Sequence, residues 1–379
     1  MNPNPRPQTA RRAEKSRCAV LIFLIGAGVC FSQACKRQAS APSRPYTAFV
    51  ADEQGNTIAV VDLGSLQVVA SIPVAASPRQ LVPRPGSREL YAVSGSGEVS
   101  VITFPDLRVE KVFRIGGSAS DLVFAPGGQR AYVLAPHSSE LVLLDCEHQK
   151  EVGRMHLSGK PSSVALTPDG KTLIVSTDAG LEFVDAAKQT ELGTVQTGKT
   201  SGPMVIRPDG GEVFVAAKDE KLVSVVDVPS CQLLANLDVA APVHSLSLKP
   251  DGGEVFALSS QGSVIIVLDA YHDDVEQTLT AGLNPVAGVF RRDTSVFYIA
   301  TAGDGNITAL DVQTRSVNAV AHAGTQPVSL ALTPDESFLA VADSASSSLA
   351  ILRTDKLGLV TTIPVGANPV DVVIPNWTK

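Results

Sequence analysis

One phrase recurs along this chain at a nearly constant interval, and that interval limits the possible folds more than any other feature. RPDGGEVFVAA (207–217) and KPDGGEVFALS (249–259) lie 42 positions apart, and their turn proline belongs to a column. The column runs through Pro85, Pro126, Pro168, Pro208 and Pro250, passes Arg292 in the place of proline, and ends with Pro334 and Pro375. Eight units of about 42 residues must therefore be eight copies of one supersecondary unit, each too small to bury its own apolar face and each completed by its neighbours.

Each unit reads as four short strands. A strand, polar turn and strand appear in AFVADEQGNTIAVVD (48–62), AYVLAPHSSELVLLD (131–145) and VFALSSQGSVIIVLD (255–269). A β-branched segment follows, such as QVVASIPV (67–74) or GLVTTIPV (358–365), and then the proline-bearing segment, such as PSSVALTPDG (161–170). Runs such as LVLLD and VIIVLD scarcely alternate, so both faces of these strands must be covered by protein. With no ten-residue helical period after residue 45, the arrangement that covers both faces of a four-stranded sheet eight times over is a radial ring. The expected fold is all-β, an eight-bladed β-propeller of four-stranded antiparallel blades over 46–379, with seven blades and one degenerate unit as the alternative. Because the folded part starts on a second strand and finishes on a first one, PVDVVIPN (369–376), the N- and C-terminal strands should share one blade.

The residues before the repeats read as export and anchorage. Residues 1–34 combine Arg6, Arg11, Arg12, Lys15 and Arg17 with the apolar run CAVLIFLIGAGVCF (18–31), too short to span a bilayer comfortably and placed as in a signal peptide. Ala34-Cys35 resembles the end of a bacterial lipobox, with Ser32 where that motif prefers Leu, which implies lipidation at Cys35. Residues 35–45 would then be a flexible tether, and Lys36 after the lipidated cysteine implies an outer-membrane rather than inner-membrane lipoprotein. Ordinary signal cleavage and an uncleaved anchor are the alternatives. The formal charge is −7; the first 34 residues hold five bases and one acid, so the remainder carries −11. An acidic body without a Lys/Arg block excludes nucleic acid as the main partner.

Segments AYVLAP, NTIAVVD, VVASIPV and SVALTPDGKT resemble the YVTN-type β-propeller repeat across nearly all of 46–379. The resemblance implies an exported propeller of the kind found in surface-layer proteins and secreted lipoproteins. It also brings in propellers similar to those of quinoprotein dehydrogenases, lactonases and d-type haem nitrite reductases.

Functional chemistry is sparse. The PDG aspartates Asp169, Asp209 and Asp251, and the strand-end aspartates Asp62, Asp145, Asp185, Asp227, Asp269 and Asp311, recur with the period and read as turn formers. GDGN (303–306) and DEQGN (52–56) occupy a hairpin column and read as turns rather than calcium loops. There is no HExxH, CxxC, CxxCH, GxSxG, SxxK or P-loop, so no catalytic residue, metal site or cofactor is assigned. Of five cysteines, only Cys146 and Cys231 lie in the body, at different offsets of units two apart, and they read as thiols rather than a disulfide. Candidate ligand-binding residues are those that break the repeat where the chain enters the innermost strands, at the channel mouth: Arg79, Asp121, His244 and Asp371. The expectation is a monomeric, non-catalytic binding or scaffold propeller, anchored to a membrane through Cys35 and holding an envelope protein or glycan. The alternative is a cofactor- or substrate-binding propeller of the haem, quinoprotein or lactonase kind.

Overall fold

A computed structural model describes residues 46–377; the signal segment 1–34, the tether 35–45 and Cys35 lie outside the described residues. Eight four-stranded antiparallel sheets make an eight-bladed propeller. We number the blades from the one containing Thr47 and count the strands of each blade outward from the central channel.

The two middle strands of every blade are buried along almost their whole length, as in Thr57–Asp62 and Glu140–Asp145, because each sheet is packed between two neighbours. Tyr132, Leu141 and Leu143 of blade 3, for example, meet Leu173, Val175 and Val184 of blade 4. This is why the apolar runs do not alternate. Outermost strands such as Gln67–Pro73 and Lys150–His156 are mostly exposed and mixed in composition. In all eight blades the pairing of third and fourth strands shifts register at the same place, from Val60/Val61 in blade 1 to Ile351/Leu352 in blade 8. Such a bulge bends and twists the outer edge.

The periodic aspartates form turns. Asp169, Asp209 and Asp251 accept the backbone N–H two residues on, from Lys171, Gly211 and Gly253, and the glycines Gly170, Gly210 and Gly252 have φ of 73°, 74° and 79°. Strand-end Asp145, Asp185 and Asp269 likewise accept two N–H groups each from the following turn.

The ring closes as the chain ends predict. Strand Pro369–Val373 is the innermost strand of blade 1 and pairs antiparallel with Thr47–Asp52, with Val50 opposite Val372. Beyond it Trp377 lies on Phe104 and Phe49, with ring centroids 4.8 and 5.3 Å away. The loop entering the closing strand is held by blade 1 itself: Ala367 O accepts from Gln54 N, and Asn368 O accepts from Glu53 N. Asp52, fully buried, accepts from Thr57 Oγ1 at 3.2 Å, its Oδ1 finds no partner, and burial pushes its carboxyl up to about 6.

Candidate functional site at the channel mouth

The third place of each innermost segment faces the channel, and the polar residues that occupy it make a belt between blades. In blade 1 this residue is Asp371. Its Oδ2 accepts the N–H of Leu81 in blade 2 at 2.8 Å, and its Oδ1 accepts Ser329 Oγ of blade 8 at 3.0 Å and its neighbour Val372 N at 2.9 Å. Gln80 of blade 2 continues the pattern, accepting Leu122 N of blade 3 at 3.0 Å and donating through Nε2 to Asp121 Oδ1 at 2.7 Å. Asp121 then accepts from Val164 N at 2.9 Å and Ser163 Oγ at 3.2 Å in blade 4. Burial raises the pKa of both Asp121 and Asp371, and the N–H and O–H groups donated to them oppose the rise. Five consecutive blades, 8 through 4, are thus tied together by side chains that occupy one column of the repeat.

The belt stops at blade 5. Pro203 and Ala287 hold the equivalent places in blades 5 and 7 and have no side-chain donor or acceptor, and Ser245 in blade 6 makes no such bond. Over this interruption lies a cavity of about 430 Å³. Its polar wall includes Ser162 and Ser201 on innermost strands, Lys218 and Asp219 on the blade 5 hairpin, His244 at the entry to blade 6, and Gln261 on the blade 6 hairpin. The side chains of Lys218, Asp219, His244 and Gln261 have no hydrogen-bond or ion-pair partner among the described residues. Its apolar wall is Pro203, Pro242 and Val243, and no aromatic ring lines it.

At the seam of blades 1 and 2 the charged groups of the mouth satisfy each other. Arg79 Nε donates to Glu53 Oε1 at 2.9 Å, and the same carboxylate accepts Ser77 Oγ and Asn368 Nδ2. Arg79 is 59% exposed and closes over the seam of blades 1 and 2. The four residues singled out by sequence therefore separate into three situations. Asp121 and Asp371 lie deeper in the channel and are joined through Gln80 and Leu81; Arg79 belongs to an ion pair at the rim; His244 stands alone, exposed beside the cavity, its backbone N–H given to Leu258 O. Lys218, Asp219 and Gln261 escape a sequence reading because they fall in the hairpin column, where turn chemistry explains polarity; that this hairpin overhangs the mouth is a tertiary fact.

Among the described residues no group of three His, Cys, Asp or Glu side chains is placed to hold a metal ion. Cys146 and Cys231 are free thiols, the first buried.

Comparison with known proteins rests on structure, since no family model and no curated protein matches the chain. A structure described as dihydro-heme d1 dehydrogenase NirN in complex with DHE superposes with a TM-score of 0.76 at 16% identity, covering 89% of this chain and 76% of that one. Apo AztD from Citrobacter koseri gives a TM-score of 0.66 at 16% identity over 87% and 97% of the two chains. Kuenenia stuttgartiensis hydrazine synthase gives 0.56 at 18% identity over 67% and 88%. These likenesses show the fold. The YVTN resemblance is not confirmed by a family model, and the propeller is the part of it that stands.

Proposed function

We propose that this is an exported, non-catalytic binding propeller, anchored at the envelope through Cys35, that holds a protein or glycan at its channel mouth over blades 4 to 6. The observation that carries the reading is the contrast between two parts of the mouth. Around blades 1 and 2 the guanidinium of Arg79 and the carboxylate of Glu53 satisfy each other, whereas the cavity at blades 4 to 6 gathers an ammonium, a carboxylate, an imidazole and an amide without partners among the described residues. Polar groups left unpaired in a concavity are recognition groups when a ligand supplies their partners.

The neighbour bound to DHE raises the cofactor reading, and the cavity's lining does not fit a broad planar macrocycle. Its walls offer one imidazole, two prolines and a valine, with no aromatic face and little apolar area to cover such a ring. A loop or saccharide end, rich in donors and acceptors, suits it better.

The test is site-directed photocrosslinking in the native envelope. A photoreactive residue at Gln261 should give a discrete adduct that disappears when Lys218→Ala and His244→Ala are combined, while one at Arg88 on the opposite face should not. Equal adducts at both positions, or a Soret or quinone absorption band in protein from its native envelope, would overturn the reading.

A further inference from the structure

We infer that the outer edge of blades 7, 8 and 1 is a membrane-facing surface that rests at the headgroup level of the bilayer to which the chain is tethered. The inference rests on the anchoring at Cys35 proposed above and concerns a different surface from the mouth.

The observation is a sector without charge. The equivalent stretches 316–327, 358–369 and 67–78 each cover an outermost strand and the loop that follows it, on three consecutive blades, and contain no Asp, Glu, Lys or Arg. The same stretches of the other five blades, 108–119, 150–161, 190–201, 232–243 and 274–285, carry thirteen. In the uncharged sector the outermost strands of adjacent blades touch, and they expose Val320, Leu359 and Val69 at 55%, 51% and 54%. A shallow cavity of about 330 Å³ lies within it, lined by Ala323, Leu359, Thr362 and Pro364 together with the imidazole of His322 and two serines. Exposed outer-strand apolars of blades 2 to 4 stand beside charge, as Val112 does next to Lys111 and Leu192 next to Glu191, whereas Leu233 and Leu234 of blade 5 do not. Edge strands are ordinarily protected by charged side chains, and these three have none.

Two features select a lipid surface as the occupant. The first is the chain outside the described residues: ten residues, 36–45, separate Cys35 from Tyr46, a reach of at most about 35 Å. The chain joins the fold at Thr47 in blade 1, so an anchored Cys35 is tied to a blade of this sector. The second feature is charge. Removing residues 1–45, which hold eight bases and one acid, leaves 23 bases against 37 acids, a net −14. An anionic leaflet repels such a body wherever acids face it, and the uncharged sector is the side that approaches without that cost. The tether's Lys36, Arg37 and Arg44 are attracted to the same leaflet. The unpaired backbone groups of the outer strands place the contact among headgroups and water, since hydrocarbon would leave them unsatisfied.

The experiment is amide hydrogen exchange on the full exported chain, with and without vesicles of phosphatidylethanolamine and phosphatidylglycerol, alongside intact mass of the N-terminal peptide. Acylated protein should exchange about tenfold more slowly in 67–73, 316–322 and 358–364 when vesicles are present, with 108–114 and 150–156 unchanged. Val69→Glu, Val320→Glu and Leu359→Glu together should abolish that protection while the protein still floats with the vesicles and keeps its melting temperature. Acylated protein with no protection in this sector, or protection all round the rim, overturns the inference and leaves the anchor standing. Protection that appears without vesicles and grows with protein concentration assigns the surface to a second copy and overturns it too. An unacylated Cys35 overturns the anchor and the inference with it.

Discussion

Replacing Asp371 by Asn tests whether the belt in the channel holds the ring closed. Asp371 accepts three hydrogen bonds from three blades, and both of its oxygens face N–H donors: Leu81 N on Oδ2, Val372 N on Oδ1. An asparagine side chain must turn its NH₂ toward one of them. The variant therefore loses a hydrogen bond to a charged acceptor, worth about 1.5–3 kcal/mol, and sets one donor against another, which costs about 1–2 kcal/mol more. Against this, burial raises the Asp371 pKa, so a neutral side chain recovers part of the desolvation penalty. The balance is a loss of about 2 kcal/mol. For roughly 330 ordered residues at about 2 cal/mol/K each, unfolding entropy is near 0.7 kcal/mol/K, and the melting temperature should fall by about 3 °C. Differential scanning calorimetry at pH 7.5 reads this directly, with Ser245→Ala, in the same column but outside the belt, as the control that should not move. An Asp371→Asn protein that melts at or above the parent would show that charge burial outweighs the bonds, and the belt would not be what ties blades 8, 1 and 2 together.

Deleting 369–379 removes the innermost strand of blade 1 and the Trp377 lid over Phe49 and Phe104, and circular dichroism melts should show a large drop in stability or loss of cooperative unfolding; an unchanged melting temperature refutes the closure. Asp52 titrates at about 6 when folded against an ordinary carboxyl value of 3.8, so the folded state holds the extra proton and stability falls as pH rises between about 4 and 6. Asp52→Asn should flatten this dependence and raise stability at pH 7.5 by about 2 kcal/mol, checked by urea melts at pH 5 and 7.5; a parent-like slope would place the titration elsewhere. Lys218→Ala with His244→Ala should leave the melting temperature within about 1 °C while removing the mouth adduct, because neither side chain has a partner among the described residues.

Scaffold residues are legible in the sequence because the fold requires them at every turn of the period. The PDG and strand-end aspartates recur, and Asp169, Asp209, Asp251, Asp145, Asp185 and Asp269 each cap the turn that their column predicts. Departures from the period are harder to read, since a departure marks either ligand chemistry or a local solution to packing. Asp121 and Asp371 break the column and are bonded to neighbouring blades, contacts spanning up to 290 positions of sequence that no spacing encodes. Lys218 and Gln261 keep the polarity expected of a hairpin, and a linear reading passes over them, yet they overhang the cavity.

The 42-residue period specified the number of blades, the four strands in each and the shared terminal blade, because a short unit repeated eight times has one way to cover both faces of its strands. It did not specify which polar residues face each other across blades, where the belt is interrupted, or which outer edges lie side by side. Those relations depend on the ring's curvature and on the order of neighbours around it, which bring together residues that the linear chain keeps far apart.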